Sequence, residues 1–109
     1  MANFSFTTAV ADGGAEIRTR GYLSRAAGEL LESEIVRLLG AGVLRFVVNL
    51  RDTDLINSVG ISILIGVIER VRERGGELSF AELTPVNEEI FRIMGLQRHA
   101  RVLRSDAGA

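Results

Sequence analysis

The chain has 109 residues, enough for one domain with one core, and its 47% hydrophobic and 25% charged residues fall in the globular range. A formal net charge of −1 gives no pull toward nucleic acid or an anionic membrane, and no run of about eighteen apolar residues exists to span a bilayer. Cys and Lys are absent, all 13 basic residues are Arg, and His99 is the single imidazole. This excludes thiol chemistry, thiolate metal sites, two-histidine sites and every lysine-dependent reaction.

The opening "MANFSFTTAV" lacks the basic-then-apolar pattern of a signal peptide, so the chain is expected to work in the cytoplasm. Phe4 to Val10 alternates with period two and predicts a half-buried strand. Asp12-Gly13-Gly14 supplies a tight turn. "AEIRTRGYLS" then sets Ile17, Thr19 and Gly21 against Glu16, Arg18 and Arg20, as the returning strand of a hairpin does.

From Ser24 to about Ala41, apolar residues recur at helical spacing, with Ser24 as N-cap and Gly40 or Gly42 as the stop. "VLRFVVNL" (43–50) reads as a strand covered on both faces, followed by a loop over 51–57. A second helix runs from about Ser58 to Arg74, and its end "ERVRERGGE" reads as solvated, with Glu69 and Glu73 paired to nearby Arg. Glu77 to Leu83 forms a short strand. Thr84-Pro85 opens a third helix that carries Val86, Ile90 and Ile93 on one face and stops at Gly95. "HARVL" adds a last short strand or a docking segment.

The order implies an α/β domain with a mixed, mainly parallel central sheet of four to five strands, an opening hairpin and three to four helices. A single domain fills residues 1–109, with an ordered core at about 4–103 and a frayed tail at 104–109.

Candidate chemistry concentrates where the second helix begins, at the C-terminal end of the strand 43–50. Asn57 and Ser58 are both N-cap residues, so either can start the helix. Ser58 also reads as a phosphoacceptor, because a phosphate at a helix N-terminus meets free backbone N–H groups and the positive dipole end. Beyond it, Ile61, Leu64, Ile65, Ile68 and Val71 form a sheet-facing stripe, while Val59, Ile63 and Val67 form a second one. That second stripe packs on a neighbouring helix or forms an exposed patch for a partner protein. Asp52 and Asp54 lack a third ligand, and "RDTD" reads as a solvated loop with no metal. His99 reads as a surface or partly packed side chain, and no cofactor is implied.

The blocks "NSVGISILIGVIERVRERGGELSFAEL" and "TPVNEEIFRIMGL", with this order of elements, resemble a STAS domain, from about Phe4 to Val102. That domain is shared by anti-sigma factor antagonists and the cytoplasmic tails of sulfate transporters. The resemblance implies a non-enzymatic partner-switching protein. Its partner would be an anti-sigma factor that is also a serine kinase, and a phosphatase would reverse the modification. The family's turn usually reads Asp-Ser-Ser-Gly, and here Asn57, Ser58, Val59 and Gly60 fill those places. The phosphoacceptor therefore maps to Ser58, and the partner surface to Asp54, Asn57, Ser58, Val59, Ile63 and Val67. Asn57 removes the usual acid, and Val59 replaces a small hydroxyl residue. An unphosphorylated scaffold subunit of a stress-signalling complex is the alternative. A small-molecule or nucleotide sensor using residues 51–57 and the helix start stands third.

Overall fold

The computed structural model describes residues 3–103; the expected tail at 104–109 lies outside them. The chain runs β1 (Ser5–Ala11), β2 (Gly14–Leu23), α1 (Arg25–Gly40), β3 (Arg45–Ile56), α2 (Ser58–Glu73), β4 (Glu77–Ala81), α3 (Pro85–Met94), a 3-10 turn (Leu96–Arg98) and β5 (Arg101–Leu103). The strands lie side by side in the order β1-β2-β3-β4-β5, with β1 antiparallel to β2 and every later pair parallel. The hairpin turns at Asp12 and Gly13, both at positive φ.

Spatial order equal to chain order has a consequence. Right-handed crossovers that all step the same way across a sheet put all their helices on one face. The burial pattern agrees: Ala15, Ile17, Thr19 and Leu23 of β2 are buried, while Glu16, Arg18 and Arg20 are exposed. In β3, Phe46, Val48 and Leu50 are buried with them, but Val47 is only half-buried. The strand expected to be covered on both faces is thus backed by helices on one.

Local signals formed where they were expected. Ser24 accepts from the Ala27 N–H at the start of α1, Thr84 caps α3 with Pro85 at its first position, and Gly95 ends α3 in the left-handed conformation. Phe91 of α3 meets Phe80 of β4 edge-on, ring centroids 5.0 Å apart, closing one end of the core. The Glu69 and Glu73 pairs do not form among the described residues; Arg70 instead reaches Glu32 of α1 at 3.9 Å. His99 is half-buried.

One element differs in kind. Residues 51–56, expected as a loop, continue β3. They are held by β2, which pairs Arg20 with Asp52, Gly21 with Thr53, Tyr22 with Leu55 and Leu23 with Ile56 across two register shifts. The irregularity turns Thr53 inward, where its hydroxyl bonds that of Thr19 and its carbonyl accepts from Asn87 Nδ2 at 2.9 Å. This extension carries the strand to the start of α2, so that the turn at residue 57 sits on sheet rather than on a free loop.

Candidate functional site

The start of α2 is built as an anchored turn. Asn57 is extended, and its Oδ1 accepts from the Gly60 N–H at 2.7 Å. Its Nδ2 donates to the Tyr22 hydroxyl at 2.9 Å, and its own N–H donates to the Leu23 carbonyl at 3.2 Å. Gly60 presses against the same carbonyl: a Cβ built there would lie 2.5 Å from Leu23 O. The last residues of β2 thus hold the helix start from beneath.

The two cap candidates separate cleanly. Asn57 is the cap, so Ser58 is the first helical residue and its hydroxyl is exposed. Among the described residues nothing hydrogen-bonds that hydroxyl; only the Ser58 carbonyl is used, accepting from Ser62 Oγ at 3.1 Å. The first turn also leaves donors. Gly60 N–H goes to Asn57 Oδ1 and Ile61 N–H to the Asn57 carbonyl, which leaves the Ser58 and Val59 N–H groups without a partner within the helix. With no imidazole or carboxylate on its hydroxyl, Ser58 is not an activated nucleophile; it is an accessible acceptor at a positive helix end.

Of the second stripe on α2, Val59 is exposed, while Ile63 and Val67 turn toward the protein, as the reading of a neighbouring-helix contact expects. Val67 is fully buried. Ile63 is half-buried and seats over Gly28 of α1, where a Cβ would lie 3.2 Å from Ile63 Cδ1. The missing side chain at Gly28 lets α1 and α2 approach, with Ile63 at the contact. Val67, expected at the partner surface, therefore offers no face to a partner, whereas Asp54, Ser58 and Val59 are exposed and Asn57 and Ile63 are half-buried.

An exposed apolar surface exists nearby, from a different element. Helix α3 buries Asn87 and Phe91, and its other apolar stripe points outward: Val86 is 55% exposed and Ile93 67%. Ile90, Ile93 and Met94 line a shallow groove of about 220 Å³ with Ile56 and Ser58 as the facing wall. Leu55 and Val59 add exposed apolar side chains at the helix start. Leu55, Ile93 and Met94 were missed from sequence. The available signal was Val86, Ile90 and Ile93 at helical spacing beside Phe91, since a ten-residue helix on one edge of a sheet cannot bury two apolar faces.

Asp52 and Asp54 are exposed, and among the described residues no group of three His, Asp or Glu side chains is placed to hold a metal ion. No helix among them is long and apolar enough to cross a membrane.

The start of α2 thus sets an exposed serine beside an apolar groove. Residues 6–107 match the family model of the STAS domain, and the chain belongs to that family. A proposed anti-sigma factor antagonist of Bordetella bronchiseptica, BtrV, is 34% identical over 76 residues, covering 70% of this chain and 66% of that protein, so the match spans just under two thirds of the relative's length. The structure of a proposed anti-sigma factor antagonist from Thermotoga maritima, TM1081, superposes with a TM-score of 0.83 over 94% of this chain and 89% of that one, at 14% identity. The Bacillus cell-fate determinant SpoIIAA in its phosphorylated form gives 0.73 over 93% and 91%, at 18% identity. The fold is that of the anti-sigma factor antagonists, a five-stranded mixed sheet with three helices, as the sequence resemblance implied.

Proposed function

We propose that this chain is an anti-sigma factor antagonist that works by partner switching, with Ser58 as the phosphorylation site for an anti-sigma serine kinase. The observation that carries the reading is the division of the helix start: Asn57 does the capping, which leaves the Ser58 hydroxyl exposed and unbonded at the wall of an apolar groove. The unmodified surface, formed by Leu55, Val59, Ile93 and Met94 around Ser58, takes the partner. A phosphate on Ser58 is tolerated by the chain, because the Ser58 and Val59 N–H groups and the helix dipole meet it. It is not tolerated by the complex, because docking would strip water from about two negative charges against an apolar wall. A phosphatase acting on Ser58 restores the docking form.

The test joins two measurements. After incubation with ATP and the partner kinase, intact mass should show one added phosphate on the native chain and none on Ser58→Ala. The modified chain should then lose at least about tenfold in affinity for the partner, the equivalent of ~1.4 kcal/mol. An unmodified chain that nonetheless binds through this surface would replace the switch with the constitutive scaffold. That second reading draws on Asn57 and Val59, which depart from the family's acid and hydroxyl at the turn.

A further inference from the structure

The two edges of the sheet are built differently. β5 is three residues long and carries Arg101, so it offers little to another strand. β1 offers more: seven residues, Ser5–Ala11, with no charge, no Pro and an unbroken ladder to β2. Shortness, charged side chains, Pro and bulges are the usual guards of a free strand, and β1 has none of them.

The hairpin decides which main-chain groups of β1 are free. Asp12 and Gly13 form a two-residue turn, both at positive φ, so Ala11 and Gly14 are its closing hydrogen-bonded pair. Alternation along an antiparallel ladder then gives the main-chain groups of Ala9, Thr7 and Ser5 to β2. Those of Phe6, Thr8 and Val10 point away from it, and among the described residues no strand pairs with β1 on that side. Val10 is also 55% exposed, although it opposes Ala15, a buried residue of the helix-covered face.

We propose that β1 is the interface of a two-fold dimer, in which it pairs antiparallel with β1 of a second copy of this chain about an axis through Thr8. The inference does not rest on the proposed switch, and β2 separates β1 from the strand that leads into Ser58. Pairing about Thr8 uses the whole strand and forms about six main-chain hydrogen bonds, two between the Thr8 residues and two at each meeting of Phe6 with Val10. On the helix-covered face it lays the half-buried Phe6 of one copy against the exposed Val10 of the other. At the axis, Glu34 accepts from the Thr8 hydroxyl and is already neutralised by Arg37.

Charge on the open face of the sheet favours a second copy, and this register. On β2, Arg18 stands beside Thr7 and Glu16 beside Ala9. With Thr8 on the axis, Thr7 opposes Ala9 of the second copy, so Arg18 of each copy faces Glu16 of the other. Three strand spacings, ~14 Å, separate their backbones, and only the short Thr7 and Ala9 side chains lie between. One Glu16 oxygen lies 3.3 Å from Asn49 Nδ2, and among the described residues the other has no hydrogen bond. An axis through Thr7 would set Arg18 against Arg18, and one through Ala9 would set Glu16 against Glu16. The two-fold pairing covers both long edges and leaves a β5 at each end, so association stops at two copies.

Sedimentation velocity of the full chain across roughly 1 µM to 1 mM tests the proposal; one strand edge is a small interface, so the dimer should form in the upper part of that range. Amide hydrogen exchange on the same samples reads the pairing directly. The Phe6, Thr8 and Val10 amides should exchange fast when dilute and at least about tenfold slower when concentrated, while those of Thr7 and Ala9 stay protected throughout. Arg18→Glu and Glu16→Arg, each alone, set like charges opposite at both symmetric places and should weaken the dimer about tenfold. Together they restore unlike pairs and should dimerise as the native chain does. Ile93→Ser, in the groove beside Ser58, should leave the dimer unchanged. A chain monomeric throughout the range, unchanged exchange at Phe6, Thr8 and Val10, no rescue by the double change, or loss of the dimer in Ile93→Ser would each overturn the proposal. Glu16 and Arg18 are exposed, so their variants should keep the native melting temperature, and that is measured alongside.

Discussion

Two glycines of α2 make opposite predictions for the same substitution. Gly66 is exposed, and a Cβ there meets nothing within 4 Å, so Gly66→Ala only removes backbone entropy from the unfolded chain. It should stabilise by ~0.5–1 kcal/mol. Gly60 has the same helical gain available, but its Cβ would lie 2.5 Å from the Leu23 carbonyl oxygen and 2.9 Å from Leu23 Cδ2. The oxygen belongs to backbone at the end of β2 and cannot rotate away, so the helix start itself must lift. Lifting strains the packing by ~1–3 kcal/mol. It also weakens the bond from the Asn57 N–H to that carbonyl, by about 1 kcal/mol. Set against the propensity gain, Gly60→Ala should lose ~1–3 kcal/mol. Thermal unfolding followed by circular dichroism reads both variants. Gly66→Ala should melt about 3–6 °C higher, and Gly60→Ala about 5–15 °C lower. If Gly60→Ala melts at or above the native temperature, the close approach does not fix the turn and the reasoning fails.

The remaining predictions concern the surface and its charge. Ser58→Glu places an acid in the first turn of α2, so its melting temperature should stay level or rise slightly while partner affinity falls; a marked drop in melting temperature would show a buried role for the hydroxyl. Ile93→Ser, at a side chain 67% exposed, should change stability by less than about 0.5 kcal/mol yet reduce partner affinity, whereas an unchanged affinity would remove α3 from the interface. Asn57→Asp keeps the cap and suits the helix dipole, but sets a second charge beside any acid at residue 58. Ser58→Glu should therefore be less favourable when combined with Asn57→Asp than alone, and strict additivity of the two melting shifts would refute that coupling. The hydrogen bond from Arg37 holds the Glu34 carboxyl below the usual carboxylate range, against opposing burial and with help from the Thr8 hydroxyl. A depressed folded value stabilises above the unfolded pKa of ~4.3 and is lost as pH falls through the folded one. The gap in melting temperature between native protein and Glu34→Gln should narrow below about pH 4, and a gap constant with pH would discount the ion pair.

What could be read from sequence was what neighbouring residues decide. The alternation of β2, the caps at Ser24 and Thr84-Pro85, and the stop at Gly95 all depend on a few residues in a row. What could not be read was decided by distant partners. The strand over 51–56 exists because β2 supplies an irregular ladder to it, and no local pattern announces two register shifts. Ile63 packs on α1 because Gly28, 35 positions earlier, leaves room for it. With α1 on one flank of α2, α3 adds Ile93 and Met94 to the exposed Leu55 and Val59 at the helix start. The burial of Val67 was thus not legible in the helical spacing of α2, and the exposure of Ile93 and Met94 was not legible in that of α3.

The pairing of Asn57 with Ser58 gains a physical sense from this placement. A serine that caps a helix spends its oxygen on a backbone N–H, and modifying it would remove that bond and fray the turn. Here the cap bond belongs to Asn57, which is doubly held through Gly60 and Tyr22, so chemistry at Ser58 leaves the turn's own bonds in place. Asn rather than Asp at the cap adds a second effect, since the position before the serine carries no charge to repel a phosphate. The same residue that lacks the family's acid thus leaves the helix end more positive toward any anion placed at residue 58. Under the proposed switch, the cap and the phosphoacceptor are adjacent side chains, and a charge added at Ser58 would face the groove of Ile90, Ile93 and Met94.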